Sequence, residues 1–181
     1  KQYVRGLIYL LTQIGFVCFL KNFALQYLSK FSTLGTETQR KVWNEDLQIY
    51  QRFPGDNSML ILLYSELSLA VIAVFLYIWY ANIRDSWHAQ ENLREGRKSA
   101  GFRDDLHSLT HERFHITLLS MPMLTLVLFT LLPIIFMILI AFTNFDADHQ
   151  PPGNLFTWVG MTNVTDIFLG NAIKTHTFFH I

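Results

Sequence analysis

Residues 116–142 read ITLLSMPMLTLVLFTLLPIIFMILIAF, without a charge anywhere in the run. About 20 consecutive apolar residues cross the ~30 Å hydrocarbon core of a bilayer as a helix. This run is longer, so it should tilt or project past the membrane at one end. Pro122 and Pro133 would break a helix in water, but inside a membrane neighbouring groups re-satisfy the freed backbone. Upstream, Met59 to Ala81 (MLILLYSELSLAVIAVFLYIWYA) carries one charge, Glu66, and gathers Tyr77, Trp79 and Tyr80 at one end. An aromatic belt would sit at such an end. A third run, Gly6 to Leu28, is interrupted by Gln13, Lys21, Asn22 and Gln26. It is read as a span rather than a signal peptide behind Lys1 and Arg5. No small-x-small cleavage site follows, and FALQYL at 23–28 continues the apolar character.

Composition agrees. Hydrophobic residues make up 51% of the 181 positions and charged residues 15%, against about 25% charged in an average soluble domain. Sixteen Phe, seven Tyr and four Trp suit lipid and its interfaces. So apolar a chain with no basic excess is neither disordered nor a nucleic-acid binder. Lys+Arg and Asp+Glu are both 14, and the single Cys18 excludes an intramolecular disulfide framework or a Cys-based zinc knuckle. The expected fold is all-α: a polytopic membrane protein of three transmembrane helices with short amphipathic interfacial helices.

The expected organisation begins with an N-terminal cytoplasmic end and first span (1–28), an extracellular loop with an amphipathic helix (29–58) and a second span (59–82). Cytoplasmic linker helices (83–115), a third span (116–143) and an extracellular loop (144–181) follow. Lys1, Arg5, Arg84, Arg94, Arg97, Lys98, Arg103 and Arg113 fall on one side; Lys30, Arg40, Lys41, Arg52 and Lys174 fall on the other. Eight against five puts the N-terminus inside by the positive-inside rule. In the first loop, Thr36-Glu37-Thr38-Gln39 fits a capping box, and Trp43, Leu47 and Tyr50 recur at i, i+4 and i+7. That predicts a surface helix ended by the turn Pro54-Gly55-Asp56-Asn57. In the second connector, two helices are expected to break around Gly96 to Gly101. Phe102, Leu106 and Leu109 would share a face of the second helix, behind Asp104 and Asp105 in its first turn.

Two constellations invite a chemical reading. His111-Glu112-Arg113-Phe114-His115 matches H-E-x-x-H, which on a helix would pair two zinc ligands with a general base. A membrane zinc metalloprotease is therefore an alternative. Against it, Arg113 sets a cation between the ligands, and His107 is only a fortuitous third ligand. The downstream candidates Asp146, Asp148 and His149 lie about 45 Å away along a third span rising ~1.5 Å per residue. Pro151-Pro152-Gly153 marks the segment after them as an ordinary turn, and the sequon Asn163-Val164-Thr165 is read as plain loop. No P-loop pattern occurs. The second constellation is Lys21 and Glu66, each the lone ionisable residue within its span and at matching depth if the first two spans are antiparallel. They are candidates for an intramembrane ion pair that fixes helix register.

The stretch LLPIIFMILIAFTNFDADHQPPGNLFTWVGMTNVTDIF resembles the first core span and outer loop of carbohydrate ABC-transporter permeases. The likeness is to the larger permease subunit of maltose/maltodextrin and galacto-oligosaccharide importers of Gram-positive bacteria. GLIYLLTQIGFVCFL, LGTETQRKVW, GDNSMLILLY and FRDDLHSLTHERFHITLL extend the likeness over essentially the whole chain. The resemblance implies an N-terminal part of a permease of about eight spans, without the cytoplasmic coupling loop that docks the ATPase. The family's sugar site lies mostly on later spans, so no substrate residue is carried over. It further implies translocation rather than bond chemistry, with no catalytic residue, metal or cofactor in this chain. The implied partners are a second permease, ATP-binding-cassette ATPase subunits, an extracellular sugar-binding protein, an oligosaccharide substrate and the lipid bilayer, with no nucleic acid. The implied location is the plasma membrane, multi-pass, N-terminus cytoplasmic. A non-transporting helical anchor is the remaining alternative.

Overall fold

The computed structural model describes residues 3–96, 107, 108, 110–112 and 114–169. Three helices are long and apolar enough to cross a membrane: Gly6–Leu28, Ser58–Asn92 and Phe114–Ala141. The chain divides into two compact units, residues 1–25 with 67–132 and residues 26–66 with 133–181.

The first apolar run forms α1 (Tyr3–Phe19), a π turn (Leu20–Ala24) and α2 (Leu25–Leu28). At the π turn the Leu25 amide reaches back to the Leu20 carbonyl, so one extra residue is accommodated and the helical face is re-phased. The second run is a single helix, α3 (Ser58–Arg94, 37 residues), about 55 Å long at ~1.5 Å per residue. It outruns the expected boundary at 82 because neither Gly nor Pro occurs between 58 and 94; Gly96, at φ 74°, follows its end. The third run comprises α4 (Phe114–Leu126), a second π turn (Val127–Leu131) and α5 (Leu132–Ala141). Pro133 has no N–H to offer the preceding turn, and the ladder steps over the gap with a Leu132 amide to Val127 carbonyl bond. The expected linker helix at 102–109 lies largely outside the described residues, as does the tail from 170.

Residues 3–25 with 67–132 bury little. Ala24 and Ser68 are enclosed, whereas Val17, Leu118, Met121 and Phe129 are exposed. Phe16 of α1 stacks on Phe75 of α3, with ring centroids 3.6 Å apart and planes 4° off parallel.

Residues 26–66 with 133–169 hold a real core. Leu34, Ile61, Leu62 and Phe156 are buried together, flanked by Tyr27, Phe31, Phe136, Leu139 and Trp158. Each such side chain contributes about 1.5–3 kcal/mol on burial. Leu34 is fully buried at φ 55°, a left-handed conformation costing a non-glycine residue roughly 1–2 kcal/mol, which its burial offsets.

The first loop departs from expectation. Instead of a helix through Trp43, Leu47 and Tyr50, it forms an antiparallel hairpin, β1 (Arg40–Asn44) and β2 (Ile49–Phe53), with Trp43 opposite Tyr50. A separation of seven residues suits two helical turns and equally a cross-strand pair closed by a four-residue loop. The turn chemistry decides between them. Asn44 Oδ1 accepts the Asp46 and Leu47 amides at 3.0 and 3.1 Å, and Gln48 takes φ 53°. That Asx turn breaks a helix where one was expected. Thr36 caps no helix either. Its amide and that of Glu37 donate to Asp56 Oδ2 at 3.0 and 3.2 Å. The sequon Asn163-Val164-Thr165, expected to be plain loop, lies instead in a short helix, α6 (Thr162–Leu169).

Candidate functional site

The first candidate follows from the buried stripe of α3. Ser58, Ile61, Leu62, Ser65, Glu66 and Ser68 are all buried, spaced so that they share one side of a helix. Glu66 is 6% exposed, and neither its Oε1 nor Ser65 Oγ has a hydrogen-bond partner among the described residues. A carboxyl group in a membrane-crossing segment is costly and marks a site by default. The sequence singled out Glu66 as the only charge in its run. It gave no sign of Ser65, whose small side chain passes for ordinary helix filler. Lys21 sits in the π turn Leu20–Ala24 with an exposed side chain. Lys21 and Glu66 belong to different units.

The second candidate is the lock at the ends of the first two spans. Lys30 Nζ donates to Asp56 Oδ1 at 2.6 Å while Asp56 Oδ2 receives the Thr36 and Glu37 amides. Burial alone would push the Asp56 carboxyl up. The Lys30 hydrogen bond, the two amides and the Lys30 charge together outweigh it, holding Asp56 below the usual carboxylate range. Gly55, at φ 66°, lets this strand pass the Glu37 carbonyl; a Cβ there would sit 2.7 Å from that oxygen. Asn57 caps α3, its Oδ1 accepting the Leu60 amide at 3.2 Å. Ser58 Oγ accepts the Phe156 amide at 3.3 Å. A cleft of about 430 Å³ opens beside Gln26, Tyr27, Lys30 and Asn57. Its two charges, Lys30 and Asp56, are paired with each other, so it presents no net charge.

The loop after α5 is pinned in the same manner. Thr143 and Trp158 form an isolated bridge, Trp158 Nε1 donates to the Phe31 carbonyl at 2.9 Å, and Thr157 N–H donates to Asn144 Oδ1 at 2.6 Å. The Asn163 side-chain amide donates to the Ala141 and Thr143 carbonyls at 2.9 and 2.8 Å, so the sequon's nitrogen is spent on closing the end of α5. Asp146 Oδ1 gathers the Asp148 and His149 amides and His149 Nδ1. The His149 hydrogen bond first, then the two amides and the imidazole charge, lower the Asp146 pKa. This is a turn built on one carboxylate.

The H-E-x-x-H match does not form a continuous helix among the described residues. His111 and Glu112 lie in a turn and α4 starts at Phe114. The His107 and His111 rings stack 4.1 Å apart, and Thr110 Oγ1 lies 2.9 Å from His111 Nδ1. No group of three or more His, Cys, Asp or Glu among the described residues is arranged to hold a metal ion.

Apolar helices of membrane-crossing length, a buried carboxyl in one of them, and a hydrogen-bonded cap over their ends define a helical membrane protein. Its relatives narrow the class. The chain is 30% identical over 169 residues to a maltodextrin transport system permease of Streptococcus pneumoniae, covering 93% of this chain and 35% of that protein. It is 24% identical over all 181 residues to a galactooligosaccharides transport system permease of Bacillus subtilis, covering 40% of that one. A second Bacillus subtilis relative, also a maltodextrin permease, is 28% identical over 178 residues, 97% of this chain and 37% of the relative. The chain thus spans between 35% and 40% of the length of these curated relatives. No protein-family model and no solved structure matches it. Over nearly its whole length the chain is a homologue of sugar ABC-transporter permeases, which are transporters rather than enzymes.

Proposed function

We infer that the chain forms part of a permease subunit of an ATP-binding-cassette importer for maltodextrin-like oligosaccharides. The observation that carries this reading is that nearly all of this chain matches part of three oligosaccharide permeases, together with three helices able to cross a membrane. In this reading the chain contributes to the translocation pathway beside a second permease. An ATPase pair drives the cycle, and an extracellular binding protein delivers the sugar. The N-terminus is cytoplasmic and the hairpin lies outside, following the eight-to-five Lys/Arg asymmetry. Lys21 and Glu66 act as a register-fixing pair between the first two spans, since an uncompensated charge in lipid costs at least ~2.5–3.5 kcal/mol on insertion scales.

The test uses proteoliposomes holding the complete transporter. Maltodextrin-loaded binding protein should stimulate ATP hydrolysis and uptake of labelled sugar, and both should vanish when residues 1–181 are removed. Full uptake without them would overturn the permease reading; stimulation by a non-sugar solute alone would overturn the substrate class. Orientation is tested separately, with Glu45→Cys and Glu95→Cys in a Cys18→Ser background. A membrane-impermeant thiol reagent added outside should reach position 45 and not position 95.

A further inference from the structure

Strand alternation sorts the hairpin into two unlike faces. On one, Arg40 lies over the Phe53 ring, 5.2 Å from its centroid, and Asn44 Nδ2 donates to Gln51 Oε1 at 3.2 Å. On that face the cation and the two amides have partners, and Val42 and Ile49 stay exposed. On the other, Lys41 stands directly opposite Arg52 and Trp43 opposite Tyr50, the two rings meeting edge to face at 4.9 Å. All four side chains are exposed, and neither cation has a carboxylate partner among the described residues. Like charges directly opposite one another destabilise a strand pair, and a two-stranded hairpin alone is marginal in water. This face carries a like-charge cost that no carboxylate among the described residues offsets.

Its position indicates what does. The hairpin joins Leu28 and Ser58, the ends of two membrane-crossing helices. Phe53 precedes Ser58 by five residues, so β2 ends no more than about 17 Å from the start of the span. A bilayer surface is therefore always within reach. Trp and Tyr concentrate at the headgroup level, and basic residues near an anionic lipid surface each gain about 1 kcal/mol. We propose that the Lys41–Trp43–Tyr50–Arg52 face is a lipid-binding surface that seats the hairpin on anionic phospholipid headgroups. The two cations take the phosphates and the aromatic pair enters the interface. The proposal concerns the membrane rather than the transported solute and holds for either orientation.

The experiment places a nitroxide at Leu47→Cys in a Cys18→Ser background of the full chain. The protein is reconstituted in vesicles of phosphatidylcholine with or without phosphatidylglycerol. Collision rates with oxygen and with a water-soluble nickel chelate report whether the hairpin tip lies at the membrane or in water. The tip should move toward the membrane only with phosphatidylglycerol present, and return to water as salt is raised on the otherwise unaltered hairpin. Lys41→Gln/Arg52→Gln should lower the seated-to-free ratio about thirtyfold, the equivalent of two basic contacts, while Arg84→Gln should leave it unchanged. A tip that stays water-exposed in both vesicles overturns the proposal. So does equal seating in both, which would assign the contact to the aromatic pair alone. Seating that appears only when an acidic soluble protein is added would make the face a protein-docking surface instead.

Discussion

Residues 26–66 with 133–169 and residues 3–25 with 67–132 both carry long apolar runs and use them in opposite ways. The former bury Leu34, Ile61, Leu62 and Phe156 against one another and close nearly every loop with a side chain bonded to distant backbone: Asp56 to Thr36, Ser58 to Phe156, Trp158 to Phe31, Asn163 to Ala141. The latter leave Leu118, Met121 and Phe129 exposed and touch between helices through the Phe16–Phe75 stack. Hydrophobicity by itself therefore does not make a core. The loop-bearing unit is held by its own contacts, whereas the helical unit depends on whatever apolar medium surrounds it.

The difference can be broken most forcefully at Phe156. Phe156→Ala should cost about 3–5 kcal/mol through lost burial and a residual cavity, read as a lower thermal midpoint in detergent. Leu118→Ala, on an exposed surface, should stay within about 0.5 kcal/mol; equal losses would erase the contrast. The next effect is at the Asp56 lock. Asp56→Ala strands the Thr36 and Glu37 amides and should cost about 1–3 kcal/mol. The sign with pH follows from the lowered pKa of the folded state. The unfolded chain binds a proton at Asp56 more readily, so the stabilisation is complete above the ordinary carboxylate pKa of about 4 and disappears as pH falls through the lower folded value. Thermal midpoints recorded from pH 6 to pH 3 should fall less steeply in Asp56→Asn than in the parent; parallel curves would remove Asp56 from the acid response. The smallest expected effect tests the proposed Lys21–Glu66 pair. Lys21→Ala and Glu66→Ala should each destabilise the first two spans, and the double variant should do less harm than their sum by at least about 0.5 kcal/mol. Strict additivity would end the pairing idea.

Much of this was legible in the sequence. The span at 116–142 announces itself through the absence of charge, and Glu66 through being the one exception in its run. The span boundary expected at 82 follows the turn to polar composition, and it marks no break in the helix, which meets no Gly or Pro and continues to Arg94. The hairpin was hidden by the seven-residue spacing of Trp43 and Tyr50, which serves both geometries. The discriminating signal was the Asn44-Glu45-Asp46 turn chemistry between two runs rich in β-branched and aromatic residues. The lock could not be read in advance, since Lys30 and Asp56 are 26 positions apart and Ser58 and Phe156 are 98 apart. Local pattern carries no information about such pairings.

Gly55, Asp56, Asn57 and Ser58 have four different roles. Gly55 passes close to the Glu37 carbonyl, Asp56 binds Lys30 with two amides, Asn57 starts α3, and Ser58 holds the Phe156 amide. Because the four roles fall on consecutive residues, they share one reading frame along the backbone. Inserting or deleting a residue anywhere in the quartet displaces several of them at once, and no single later substitution restores them. Over evolutionary time the stretch should therefore change by replacement at isolated positions and not by length. The hairpin loop at 45–48, whose residues bear none of these duties, is where insertions should accumulate.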